Sequence, residues 1–546
     1  MKTVLRFAVI AGLCLGLAHP ASAEDAPVVT APAGAVKGEA NGSLHIFRGM
    51  PYAQAPVGTF RWKAPVTATT WSGVRDATQF GPACYQPPSR VNSIYTDPLP
   101  AMSEDCLSLN VWAPADAKKT PVMVWIHGGA LTGGASRESM YDGAALAKRG
   151  IVVVSINYRL GVLGYLAHPE LSAENADNTS GNYGLLDQIE ALRWVRRNIA
   201  AFGGDPDNVT IAGESAGGLS VIYLMASPEA RGLFHKAIFE SSYMISTPEL
   251  HKSAFGHDSA ETSGVKMATA LGAKGIADLR AMDAAALTDK APLTGFLPFG
   301  NIDGHVLTRQ MVEVFDRGEQ APVPVLVGFN IGEIRSLMFL APPVPATPDD
   351  YIDAIRDRYG DLAKAYLKLY PPTDLAESII EAPRDALYGW TAERIALKQT
   401  ALGQPAFLYL WDHGYPAADN ARLHGFHASE VPYVFGTADE TPPYWPKMKA
   451  TPDEVRFARA MGDYWASFVR TGVPSADGEP AWQPYKTDKA YMRFAAVPRP
   501  ATHLMPGMYA LQEAVVCRRK AQGNTPWNWN VGIVAPPLPP EAPGCQ

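Results

Sequence analysis

Six strand-like apolar runs recur along the chain: PVMVWIH (121–127), IVVVSINYR (151–159), NVTIA (208–212), KAIFES (236–241), PVPVLVGFN (322–330) and AFLYLWD (406–412). Continuous apolar strands of this kind are buried on both faces, and helical patterns lie between several of them. In GLLDQIEALRWVRRNIAAFGG (184–204), Leu185, Leu186, Ile189, Leu192, Val195 and Ile199 fall at helical spacing, and Gly203-Gly204 ends the pattern. Nearer the C-terminus, Thr451 and Glu454 bracket Pro452 as a capping box before an amphipathic helix that ends at Gly472. Together these features predict an α/β fold with a large, mostly parallel sheet covered by helices on both faces.

No internal repeat or linker divides the chain. At 546 residues, 47% of them hydrophobic, it can bury a large core. One domain over residues 24–546, with inserted loops, is the economical reading. The net charge of −7 and the absence of a lysine/arginine run argue against a nucleic-acid partner. Residues 1–23, MKTVLRFAVIAGLCLGLAHPASA, form a unit of their own. Lys2 and Arg6 precede an apolar stretch from Phe7 to Leu17, and Ala21-Ser22-Ala23 supplies a small-residue cleavage site. This is the pattern of a signal peptide, so a secreted or periplasmic mature chain is expected to start at Glu24. Cys14 follows a leucine, which does not fit a lipoprotein cleavage box. No later segment reaches about 18 uninterrupted apolar residues, so no membrane span is expected. The mature chain keeps four cysteines, Cys84, Cys106, Cys517 and Cys545. They permit three pairings, and proximity favours Cys84–Cys106 with Cys517–Cys545. Neither pair has zinc-site spacing, and nothing in the sequence calls for a metal or a cofactor.

Chemistry points to TIAGESAGGLS (210–220), where Ser215 sits between Gly213 and Gly217 at a strand-to-helix junction. Such a turn can expose the serine hydroxyl as a nucleophile elbow, although alone it reads equally well as an ordinary βα turn. A second strand ends in His127-Gly128-Gly129-Ala130, a loop able to aim backbone N–H groups at a developing anion. Ala216, just after the serine, would complete such an oxyanion hole. In this kind of fold a serine triad runs in the order Ser, acid, His. His424 and His427 lie in a loop-like stretch after a strand, and Glu333 directly follows another.

GESAGG, EDCLSLNVWAP (104–114), IHGG, NYRLGVLGYL (157–166), GNYGLLDQ (181–188), FGGDP (202–206) and FHASEVPYVFG (426–436) occur in an order that closely resembles the type B carboxylesterase family, which includes the cholinesterases. The resemblance runs from about residue 27 to about 500. It implies an α/β-hydrolase fold and serine ester hydrolysis of a small-molecule ester. By position it implies Ser215 as nucleophile, Glu333 as acid and His427 as base. Gly129, Ala130 and Ala216 fall on the oxyanion-hole positions, with Gly128 just before them. Cys84 and Cys106 match the family's N-terminal disulfide, and Arg61 with Glu104 a family ion pair of structural kind. Glu214 is implied to be partly buried beside the nucleophile, as a support for the imidazolium or as a structural residue. The chain departs from the family in having Ala130 for a third glycine, Ile334 after the glutamate, and Tyr243 in an S-G-S position. The aromatic lining of a choline pocket is not evident.

Three functions compete on this evidence of residues: a secreted carboxylic-ester hydrolase acting through an acyl-enzyme, a non-catalytic adhesion protein of the same fold, and a hydrolase of amides, lactones or lipid esters. Adhesion proteins of this type typically lose the nucleophile, whereas all three triad positions are kept here. Asp412, also at the end of an apolar strand, is the rival to Glu333. Oligomeric state has no signature in the sequence.

Overall fold

A computed structural model describes residues 26–88, 93–99, 101–527 and 531–545. The leader read at 1–23 lies outside the described residues. Eleven strands form the main sheet. In chain order they are β1 (Glu39–Asn41), β2 (Leu44–Pro51), β3 (Ser108–Pro114), β4 (Thr120–Ile126), β5 (Val152–Ile156) and β6 (Gly204–Glu214). They continue with β7 (Lys236–Glu240), β8 (Val325–Asn330), β9 (Ala406–Trp411), β10 (Ala490–Phe494) and β11 (Pro498–Thr502). The spatial order is β11-β10-β9-β8-β7-β6-β4-β5-β3-β2-β1. From β5 across to β10 every neighbouring pair is parallel. Both margins are antiparallel, where β11 joins β10 and where β3, β2 and β1 follow β5.

The predicted runs coincide with β4 to β9, and the packing explains why they lack alternation. Val122, Val124 and Ile126 of β4 enter one core layer, while Met123 and Trp125 enter the layer on the other face. The first layer is closed by helices α1 (Tyr183–Asn198), α2 (Ala216–Ala226) and α3 (Trp390–Ala401), through residues such as Ile189, Leu219 and Ile395. The second is closed by α4 (Pro452–Thr471) through Phe457, Met461, Trp465 and Phe468. A sheet wrapped on both sides leaves no strand face to be polar. At the margin, β11 carries Pro498 and Pro500, which cannot donate to a further strand and so suit an edge.

Helix α1 is buried on nearly every side, so its polar residues need partners inside. Asp187 pairs with Arg159 at 2.7 Å, Gln188 donates to Ser220 Oγ at 3.0 Å, and Glu190 accepts from Thr67 Oγ1 at 2.9 Å. The helix stops at Asn198, and a 3₁₀ turn carries the chain to Gly203, whose left-handed φ of 80° reverses it. The capping box of α4 is half formed. Thr451 Oγ1 accepts the Glu454 N–H at 3.2 Å, and Gly472 ends the helix with a φ of 78°. The Glu454 carboxylate does not reach back: Tyr433 donates to it at 2.7 Å and His413 Nε2 lies 3.1 Å away. The Thr451 N–H turns instead to the Lys449 carbonyl at 2.7 Å.

Both disulfides favoured by proximity are formed, Cys84–Cys106 and Cys517–Cys545, across sequence separations of 22 and 28. Loops of this length give each bond about 3 kcal/mol of stabilisation by restricting the unfolded chain. No helix among the described residues is long and apolar enough to cross a membrane.

Candidate active site

Strand β6 runs into α2 through Ser215, whose backbone sits at φ 56° and ψ −119°. A non-glycine residue held there costs about 1–3 kcal/mol, so its surroundings must over-determine it. They do: the Ser215 N–H donates to the Glu240 carbonyl at the end of β7, 3.0 Å away, and the Ser215 carbonyl accepts the Leu219 N–H at 2.9 Å. The flanking glycines supply clearance and not a left-handed backbone. The strained φ belongs to the serine itself, and neither Gly213 nor Gly217 has a positive φ. A Cβ on Gly217 would lie 2.0 Å from the Ile126 carbonyl oxygen, and one on Gly213 would lie 2.5 Å from the Gly217 backbone. Close approach of the elbow to β4 is what excludes side chains.

Glu333 opens the 3₁₀ turn that follows β8 and is fully buried. Its Oε1 accepts the Asn330 N–H at 2.8 Å, and its Oε2 pairs with His427 Nδ1. Ninety-four positions of sequence separate the two residues. The histidine loop is docked on the same turn. Gly332 donates its N–H to the Gly425 carbonyl at 2.8 Å, and Asn330 Nδ2 donates to the Phe426 carbonyl at 2.8 Å. His427 Nε2 lies 3.0 Å from Glu214 Oε1. Burial disfavours the imidazolium, but the adjacent carboxylates of Glu214 and Glu333 outweigh it and raise the pKa of His427 above its ordinary value. Burial raises Glu214 as well, against the opposing pull of His427. Ser215 and His427 line one cavity of about 640 Å³ without a direct hydrogen bond between their side chains. Such contacts commonly tighten only when substrate is bound.

Gly128, Gly129 and Ala130 line the same cavity. A Cβ on Gly128 would meet the Glu214 carbonyl at 2.9 Å and Ser215 Cβ at 3.3 Å, so this loop abuts the elbow. His127 Nδ1 lies 2.9 Å from the Gly128 carbonyl, and the Thr132 and Gly133 N–H groups both donate to the Gly129 carbonyl at 2.9 Å. Because the peptide is planar and trans, fixing those two carbonyls turns the N–H groups of Gly129 and Ala130 the opposite way. Ala130 holds a left-handed φ of 55° in doing so. Ala216 is the first residue of α2, where an N–H has no acceptor within the helix.

Asp412, the rival acid, is engaged elsewhere. Arg493 Nε donates to its Oδ2 at 2.6 Å, and His424 Nε2 lies 3.1 Å from its Oδ1. His424 is half-exposed, with Asp419 on its other nitrogen at 2.8 Å. Arg61 and Glu104 form a bidentate pair, both contacts 2.7 Å, and Arg61 also donates to the Met282 carbonyl at 2.8 Å. Tyr243 lines the cavity, as do Tyr95, Glu138 and Tyr388, which sequence reasoning passed over. Burial, with Asp97 nearby, pushes Glu138 up to about 8, against the hydrogen bond from the Ala135 N–H. Nothing marks these residues in a single sequence, apart from Tyr95 lying between two cysteines that close a loop.

A family model described as the carboxylesterase family matches residues 25–507. The para-nitrobenzyl esterase of Bacillus subtilis (strain 168) is 37% identical over 462 residues, 82% of this chain and 91% of that one. The fumonisin B1 esterase of Sphingopyxis macrogoltabida is 34% identical over 480 residues, 85% of each chain. Among solved structures, a PNB esterase superposes with a TM-score of 0.77 at 34% identity, covering 89% of this chain and 99% of that one. A Geobacillus stearothermophilus carboxylesterase gives 0.76 at 33% identity with the same coverage. With the parallel sheet, the elbow and these relatives, the chain belongs to the carboxylesterase family and is a carboxylic-ester hydrolase of the α/β-hydrolase fold.

Proposed function

We propose that Ser215, His427 and Glu333 act as a catalytic triad that forms an acyl-enzyme. The buried pairing of His427 Nδ1 with the Glu333 carboxylate carries this reading, because it leaves Nε2 turned toward the elbow. Ser215 Oγ attacks the ester carbonyl carbon while its proton passes to His427 Nε2. The carbonyl electron pair moves onto oxygen, where the N–H groups of Gly129, Ala130 and Ala216 receive it. Collapse of the tetrahedral intermediate expels the alcohol, which takes the proton from His427. Water then repeats the sequence on the acyl group and releases the acid. Glu333 fixes the imidazole tautomer, and Glu214, 3.0 Å from Nε2, adds to the stabilisation of the charged ring. The signal-like leader and the two disulfides support export, and the unbroken sheet supports one domain from residue 24 onward.

The substrate is a neutral ester with an apolar or aromatic group. Tyr141, Tyr243, Leu387 and Tyr388 give the cavity an apolar wall. Asp97, Glu138 and Glu214 also face it, and no lysine or arginine lines it among the described residues. With no cation among the described lining residues to receive a carboxylate, a neutral nitrophenyl ester should be turned over at least about tenfold better than one of equal length ending in a carboxylate, a difference of about 1.4 kcal/mol that widens as pH rises and Glu138 ionises. A matching anilide, assayed beside them, separates esterase from amidase action. Equal kcat/KM for the neutral and anionic esters would remove the apolar, cation-free lining from the account of specificity.

Replacing Glu333 by glutamine should lower kcat by up to about 10⁴-fold, the loss known for removing the acid's charge from such a triad. Glu214 makes a somewhat smaller loss the expectation. Asp412→Asn should leave kcat near wild type and lower the melting temperature, since Asp412 holds Arg493 and His424. Loss of turnover in Asp412→Asn alone, at unchanged stability, would reassign the acid.

A further inference from the structure

Three successive carbonyls of the histidine loop each receive a donor from elsewhere in the chain. Two of the donors, Gly332 N–H and Asn330 Nδ2, come from the turn that carries Glu333. The third comes from a different wall. The Tyr95 hydroxyl lies 2.9 Å from the His427 carbonyl across 332 positions of sequence, and 2.7 Å from Ser336 Oγ. The phenol has one proton and the carbonyl can only accept, so Tyr95 donates to His427 and accepts from Ser336, whose hydroxyl has as its other neighbour the Glu333 carbonyl at a longer 3.4 Å. Ser336 stands three residues after Glu333, so one hydroxyl ties the backbone of the acid's turn to that of the histidine. The Tyr95 ring is held in turn, edge-on to Trp445 at 5.9 Å and to the His427 imidazole at 6.3 Å.

The segment so tied is strained. His424 and Ala428, on either side of His427, hold left-handed φ values of 49° and 64°. Backbone in that region keeps its conformation only where neighbours enforce it. The carbonyl that Tyr95 engages belongs to the peptide joining His427 to Ala428, so the bond fixes the plane next to the strained residue. Tyr95 itself belongs to the loop closed by Cys84–Cys106 and lines the catalytic cavity.

From this geometry we propose that Tyr95 is a positioning residue for His427, holding the imidazole at the reach that proton transfer from Ser215 requires. The inference rests on the reading of His427 as the base. Tyr95→Phe keeps the ring packing and removes only the hydroxyl. Its kcat, normalised to active sites titrated with an organophosphonate, is expected to fall about tenfold, as for a modest misplacement of a catalytic group. KM for a small ester and the melting temperature should stay near wild type. Ser336→Ala, which leaves the bond to the His427 carbonyl intact, should lose less. A purely structural Tyr95 would instead give fewer titratable sites, each with normal kcat, and that result overturns the proposal. So does a larger loss in Ser336→Ala than in Tyr95→Phe. His427→Ala run alongside separates the two levels. If it is inert while Tyr95→Phe turns over normally per site, this inference alone fails; if it stays active, the base is misassigned and both fall.

Discussion

Ser215→Ala is expected to abolish ester hydrolysis, with a loss of about 10⁶-fold in kcat, the scale seen when a serine hydrolase loses its nucleophile. The fold should survive unchanged. Alanine tolerates the backbone at φ 56° no worse than serine does, and the bonds that hold the elbow are made by the Ser215 N–H and carbonyl, which the substitution keeps. The glycines that give the elbow its clearance are untouched as well. Thermal melting of the variant should therefore overlay that of the parent. In the parent, an organophosphonate should add its mass to the peptide containing Ser215. Labelling of a different serine, or full turnover in the alanine variant, would remove Ser215 from the mechanism.

His427→Ala should cost nearly as much, because His427 is the imidazole that pairs with the buried Glu333 and turns Nε2 toward the elbow. The informative control is His424→Ala, three residues away. His424 bridges Asp412 and Asp419 at the edge of the loop and is half-exposed. Removing it loosens two ion pairs, each worth at most about 1 kcal/mol when solvent reaches it. A modest fall in melting temperature with turnover largely kept is the expected result. If His424→Ala proved the inert variant and His427→Ala the active one, the general base would lie three residues earlier than proposed.

The strands were legible because burial leaves its mark on composition. PVMVWIH and AFLYLWD are apolar up to their last residue, as both faces of β4 and β9 enter core layers. The elbow and the histidine loop were legible for another reason: GESAGG and FHASEVPYVFG keep their spacing as short local motifs. What stayed hidden depends on partners distant in sequence. Nothing in PRPAT reveals an edge strand, since prolines forbid further pairing but do not say which strand lies on the other side. Glu454 has the spacing of a capping residue, yet its carboxylate serves His413 and Tyr433, which only tertiary structure brings near. The pattern around Ser215 shows that glycines are required there; that they make room for β4 emerges only once the Ile126 carbonyl is in place.

The cavity wall is made of different stuff from the strand ends that bear Ser215 and Glu333. Pro87, Leu99 and Met102 come from the loop closed by Cys84 and Cys106, while Leu337, Phe339 and Leu340 come from the irregular stretch after Glu333. Phe339 is 82% exposed, so exchanging it disturbs little of the interior. A change at Phe339 thus carries little folding penalty, whereas Leu337 and Leu340 pack against the core and Gly217 has no room for a side chain. A laboratory library confined to Pro87, Leu99, Met102 and Phe339 would vary this rim while Tyr95 and the strand ends stay as they are.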